Sequence, residues 1–245
     1  MKKETILFLH ALMFSTCLLA QGKVLYFDWY AIPAYTNFSS TKMLTPCKGE
    51  IGFGTSNFCL WGGQGSASND TIAGYDTRTL DLVFRLGLLP HFDMGVKYSS
   101  PLAVVLDARG GFERGKFEFN GSMGVGYLHS TKFTQPGNYT FYLVDGYPAL
   151  ALGCNLTPWF RVVLSAKGIV SYYIRQIQTS STDPQNFFTL HGGCGLTLDI
   201  GTEEWRIRPE IIKYKGITYS NLTSEPGIFD VATFGISVVY RPKGN

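Results

Sequence analysis

The sequence predicts an all-β chain, closed as an antiparallel up-and-down transmembrane β-barrel of about ten strands. Three observations predict it. Apolar and polar residues alternate with a period of two: between Thr77 and Leu88, the residues Leu80, Leu82, Phe84, Leu86 and Leu88 share one face, and Thr79, Asp81, Val83, Arg85 and Gly87 the other. Charged residues make up only 16% of the 245-residue chain, against roughly 25% in soluble domains. Short connections alternate with longer polar ones, as in barrels that turn tightly at one membrane face and loop outward at the other.

Met1–Ala20 has the form of a secretory signal peptide: Lys2 and Lys3, then an apolar stretch from Ile6 to Ala20. Lipoprotein processing at Cys17 is the alternative, although Phe14-Ser15-Thr16 fits that signal poorly. Residues 21–47 form a periplasmic lead-in, within which Val24–Tyr30 is apolar enough to pack against the barrel mouth; residues 48–245 form the barrel. The expected strands are Gly49–Gly63, Thr77–Leu88, Phe92–Ser99, Leu102–Phe112, Lys116–His129, Tyr139–Cys154, Trp159–Gln178, Phe187–Ile200, Trp205–Tyr219 and Phe229–Arg241. Tight turns are expected at Leu89-Pro90-His91, Glu113-Arg114-Gly115, Asn155–Pro158 and Gly201–Glu204. Longer loops are expected at Gln64–Asp76, Ser130–Asn138, Thr179–Asn186 and Ser220–Ile228. In the ninth strand Ile211-Ile212, Lys213 and Lys215 break the alternation, which suggests a bulge or a stretch rising beyond the bilayer.

A period of two does not by itself separate a membrane barrel from a soluble one that encloses an apolar ligand. The occupants of the two faces do. One face carries Phe92, Met94, Val96 and Tyr98, then Phe160, Val162 and Leu164, then Phe234, Ile236, Val238 and Tyr240, without a charge. Lys or Arg facing midplane lipid costs roughly 2–4 kcal/mol in such barrels. The opposite face mixes glycine and small residues with isolated charges, the composition of a narrow lumen in which long charged side chains need room. Trp61, Trp159 and Trp205 fall at strand ends, where an interfacial girdle lies.

Asp81, Arg85, Asp93, Lys97, Asp107, Arg109, Glu118, Arg161, Lys167, Arg206, Arg208 and Glu210 are expected to converge inside. A buried, unpaired charge costs several kcal/mol, so these groups must pair, and a ladder of pairs would brace and occlude the barrel. The alternative is a solute path lined by excess Arg and Lys. A wide aqueous channel is excluded for about ten strands, since open porins use roughly 16–18.

No HExxH or GxSxG is present, Gly52-Phe53-Gly54 and Gly121–Gly126 lack the spacing and the following helix of a phosphate loop, and the histidines have no metal-ligand spacing. No metal or cofactor is therefore expected. The formal charge of +3 and the lack of a Lys/Arg run give no basis for nucleic-acid binding. Cys47, Cys59, Cys154 and Cys194 contain no CxxC; a Cys47–Cys59 bridge is permitted by an exported setting, while Cys194 reads as a small apolar residue. The candidate for a rim enzyme, a lipid or peptide hydrolase, is His129 beside Ser130 and Thr131, with Asp145 as supporting acid.

The signal, the K-G-E-I-G-F-G entry at Lys48–Gly54, strands such as F-D-M-G-V-K-Y-S at Phe92–Ser99, and the terminal alternation of Phe234, Ile236, Val238 and Tyr240 resemble small bacterial outer-membrane β-barrel proteins. Family members often stop at the terminal aromatic, whereas Arg241-Pro242-Lys243-Gly244-Asn245 follows here. The resemblance implies a diderm (Gram-negative) source and residence in the outer membrane. It implies lipid and the barrel-assembly machinery as partners, a monomer, and a structural, binding or narrow-pore role rather than an enzymatic one.

Overall fold

The structure, a computed structural model, describes residues 40–64, 75–99, 103–134, 137–177, 184–221 and 227–242. The signal region, Cys17, Val24–Tyr30 and most of the longer connections lie outside the described residues.

Ten strands form one closed antiparallel barrel in sequence order: β1 Gly49–Gln64, β2 Tyr75–Leu89, β3 Phe92–Ser99, β4 Ala103–Arg114, β5 Phe117–Thr134, β6 Gly137–Thr157, β7 Phe160–Ile177, β8 Gln185–Gly201, β9 Trp205–Ser220 and β10 Gly227–Tyr240. β1 closes on β10 through an antiparallel seam running from Ile51–Tyr240 to Gln64–Ile228. No sheet edge is left, which is what a strand protein needs where water cannot satisfy its backbone.

The side-chain directions settle which face is which. Phe53, Leu106 and Leu164 are 55–59% exposed on the outer wall, whereas Asp93 and Asp199 are wholly buried in the interior. Phe84 and Leu196 also point out, and Lys167 points in. An apolar exterior around a charged centre is the inverse of a soluble barrel holding an apolar ligand.

The tight turns lie where β2–β3, β4–β5, β6–β7 and β8–β9 meet, all at the end from which β1 starts. His91 and Gly115 take left-handed backbone angles (φ 63° for each) in the first two of them. Two sequence expectations change. β5 and β6 continue as a paired hairpin through Ser130–Phe141 up to Thr134–Gly137, so Ser130–Asn138 is not a long loop. The β-branched and aromatic residues there extend both strands. β9 has neither a bulge nor a broken pattern: its register against β10 is continuous from Trp205 to Thr218. Ile212 and Tyr214 are turned inward, and Lys213 and Lys215 outward. The alternation holds; the residues occupying the faces are atypical.

Candidate functional site: the charged lumen

Alternation along each strand delivers all twelve predicted charges to the interior, where they form connected groups. On β2–β4, Asp93 accepts from Arg85 (2.7 Å) and Arg109 (2.6 Å), and Arg85 also reaches Asp107. Glycine makes room for this group. A Cβ on Gly95 would press against the Arg85 guanidinium. Nearby, Lys97 pairs with Asp81 at 3.4 Å, and Asp81 also accepts from Ser56 and Ser99.

Across the barrel, Asp199 receives Arg161 at 2.9 Å and both Arg206 and Arg208 at 3.3 Å. Arg161 bridges onward to Glu118 at 2.9 Å, with Asn155 donating to the same carboxylate. Arg208 grips Glu50 through two parallel hydrogen bonds of 2.9 and 3.1 Å, the fork-to-fork geometry that fixes orientation as well as charge. Higher in the barrel Lys167 pairs with Glu210. Cations and carboxylates are therefore interleaved, so the interior offers no uninterrupted lane of one sign.

Glu50, Asp199 and Arg241 belong to this network but were absent from the predicted set. Glu50 lies within the Lys48–Gly54 entry pattern, and its alternation with Ile51 and Phe53 is the signal that places it inside. Arg241, one residue past the last strand, donates to Glu50 at 2.6 Å, and its backbone N–H donates to the Glu204 carbonyl at 2.8 Å.

The segment Ser40–Leu44 enters the barrel mouth at the tight-turn end. Ser40, Thr41, Met43 and Leu44 are buried within it. The Ser40 carbonyl accepts from Arg109 (2.5 Å) and Asn120 (2.7 Å), and the Lys42 carbonyl accepts from Arg109 at 3.2 Å. Thr41 donates to Glu118 at 2.7 Å, and the Leu44 backbone N–H to Asp93 at 3.2 Å. Two glycines admit the segment: a Cβ on Gly153 would collide with Thr41, and one on Gly87 with the Thr45 carbonyl.

Toward the outer end the lining changes character. Ala103, Leu128, Leu143, Tyr173 and Phe187 are buried in one cluster, and the register joins them neighbour to neighbour across β4–β8. Tyr173 and Phe187 stack with ring centres 4.3 Å apart and planes 5° from parallel. Between mouth and cluster lies a cavity of about 60 Å³, lined by residues including Arg85, Lys97, Asp107, Arg109 and Arg208. That is room for a few waters, since one needs about 10–15 Å³ of such space.

Of the rim-enzyme candidates, Asp145 alone has a described side chain. Asp145 is buried in the lumen, accepts from the Tyr147 hydroxyl at 2.7 Å and stands opposite Gly126, whereas His129 stands opposite Tyr142. The side chains of His129, Ser130 and Thr131 lie outside the described residues. Cys47 carries a free thiol, so the Cys47–Cys59 bridge is not formed, and Cys194 lies exposed on the outer wall. Among the described residues no cluster of His, Cys, Asp and Glu is arranged to hold a metal. Trp159 and Trp205 project outward at the tight-turn end, and Trp205 packs on Tyr240 at 4.6 Å; Trp61 lies outside the residues whose side chains are described.

No family model and no curated protein matches this sequence. Several solved structures are similar in fold. The outer membrane protease OmpT from Escherichia coli is 9% identical, with a TM-score of 0.42 over 83% of this chain and 100% of that one. Neisserial surface protein A is 6% identical, with a TM-score of 0.38 over 78% and 96%. Ail, the attachment invasion locus protein of Yersinia pestis, is 10% identical, with a TM-score of 0.34 over 81% and 100%. The chain's own strand pairing shows a closed ten-stranded antiparallel barrel with an apolar outer wall and a charged interior.

Proposed function

We propose that this chain is a monomeric, non-enzymatic barrel of the outer membrane whose lumen is closed, and that it serves a structural or binding role through its outer loops. The packing inside the barrel carries this reading. The Ser40–Leu44 segment fills the periplasmic mouth, interleaved ion pairs cross the middle, and the Tyr173–Phe187 stack with Leu128 and Leu143 narrows the outer end. Each closure uses groups already committed to one another. Moving an ion through the middle means separating pairs such as Arg208–Glu50, and a buried charge left without its partner costs about 3–5 kcal/mol.

Insertion into lipid is supported by the apolar outer wall and the tryptophans at the turn end, and export by the Met1–Ala20 pattern. Planar-bilayer recording tests the closed state. The refolded barrel is expected to insert without conductance steps at moderate voltage. Regular steps in the wild-type protein would favour the narrow-pore reading instead. His129→Ala is expected to leave the protein unchanged in any lipase or protease screen; an activity lost with that change would restore the rim-enzyme reading.

A further inference from the structure

The outer wall carries one feature that an inert lipid-facing surface does not need. Lys213 and Lys215 point outward from β9 within the membrane-spanning part of the barrel. Their cross-strand neighbours are small: Lys213 lies between Cys194 and Ala232, and Lys215 between Gly192 and Asp230. Height places them. With a rise of about 3.3 Å per residue and strands tilted near 40°, Lys213 stands roughly 20 Å and Lys215 roughly 25 Å above Trp205, in an apolar band about 25 Å tall. The pair therefore meets the headgroup boundary of the outer leaflet, with Lys213 just beneath it.

Two strands away from the lysines the wall opens into a hollow. The register carries Lys213 through Cys194 to Ala166, and Lys215 through Gly192 to Gly168. Beyond them, Ala108, Gly110, Gly121, Pro148, Ala166 and Gly168 contribute to an open depression of about 630 Å³. Nothing lies within 4 Å of where a Cβ on Gly192 would stand.

We propose that this surface binds one phosphorylated glycolipid of the lipid A type. Its phosphate would be held by Lys213 and Lys215, and an acyl chain would lie in the hollow. Charge complementarity selects an anion, the height selects the outer leaflet, and the outer leaflet of an outer membrane is built from this class of lipid. Lysine stems lie along apolar surface while the ammonium reaches the boundary, so the geometry needs no rearrangement.

The inference rests on the outer-membrane placement, so the test reads the barrel and the lipid separately. Full-length protein refolded in detergent would be titrated with lipid A, dephosphorylated lipid A and phosphatidylglycerol, with bound lipid counted by native mass spectrometry. Heat-modifiable gel mobility on the same samples reports the closed barrel. Lipid A is expected to be retained in preference to both other lipids. The K213A/K215A protein should bind it on the order of tenfold more weakly, and K213R/K215R should restore binding. Gly192→Leu should weaken binding by obstructing the hollow while leaving gel mobility unchanged. Equal retention of phosphatidylglycerol, or undiminished lipid A binding by K213A/K215A with the barrel intact, overturns the site. Loss of heat-modifiability in the wild type would instead overturn the membrane reading beneath it.

Discussion

The two ends of the proposed closed lumen are packed by different physics. At the tight-turn end, Arg109 reaches Asp93 and the carbonyls of Ser40 and Lys42, and the Ser40–Leu44 segment is fixed by hydrogen bonds to charged and polar groups. Near the outer end, Leu128, Leu143, Tyr173 and Phe187 fill the space by contact. The first closure is directional and intolerant of a missing partner. The second is graded, losing stability with the volume removed. One tubular fold thus carries a polar stopper and an apolar one, and they should respond differently to the same kind of truncation.

The largest expected effect is on the polar side. Arg208→Ala leaves Glu50 and Asp199 short of a cation and should destabilise the barrel by about 3–5 kcal/mol. Urea unfolding in detergent, followed by tryptophan fluorescence, measures it. A loss below that of an apolar truncation would erase the proposed contrast. Leu143→Ala, at a site with 1% exposure, should cost about 2–4 kcal/mol through the cavity it opens. In bilayers this variant should still be silent, because the ion pairs below it are untouched. Gly153→Val should cost about 1–3 kcal/mol, since the added side chain meets Thr41 and forces the lead-in to shift. Protease added from the periplasmic side should then cleave near residue 41 faster than in wild type. Smallest of all is the coupling between ends: Arg208→Ala and Leu143→Ala should be additive within about 0.5 kcal/mol if the two closures are independent.

Much of this architecture was legible beforehand because a barrel repeats one simple rule. All ten strands and both faces follow from the period of two, and the strand ends moved by no more than a few residues except at β5–β6. Arg161, Arg206 and Arg208 alternate with apolar neighbours, so their direction could be read before their partners were known. The lead-in stopper was not legible. Ser40-Thr41-Lys42-Met43-Leu44-Thr45 has no periodicity, and what holds it are Arg109, Asn120 and Glu118, far along the chain. The outer apolar cluster left a trace that was missed. Tyr127-Leu128, Leu143-Val144, Tyr172-Tyr173 and Phe187-Phe188 are apolar on both faces, which marks strand segments where the interior turns dry. In β9 the reverse occurred: Lys213 and Lys215 were read as a broken pattern because lysine was not expected on the outer wall.

Arg241, just past the last strand, acts as a clasp. Arg241 grips Glu50 on the first strand and the Glu204 carbonyl before the ninth, so the two ends of the sheet are fastened by a group that follows the final strand. The seam between the first and last strands is thereby held by an ion pair as well as by the backbone ladder from Ile51–Tyr240 to Gln64–Ile228, so its tight-turn end resists fraying more than hydrogen bonds alone would allow.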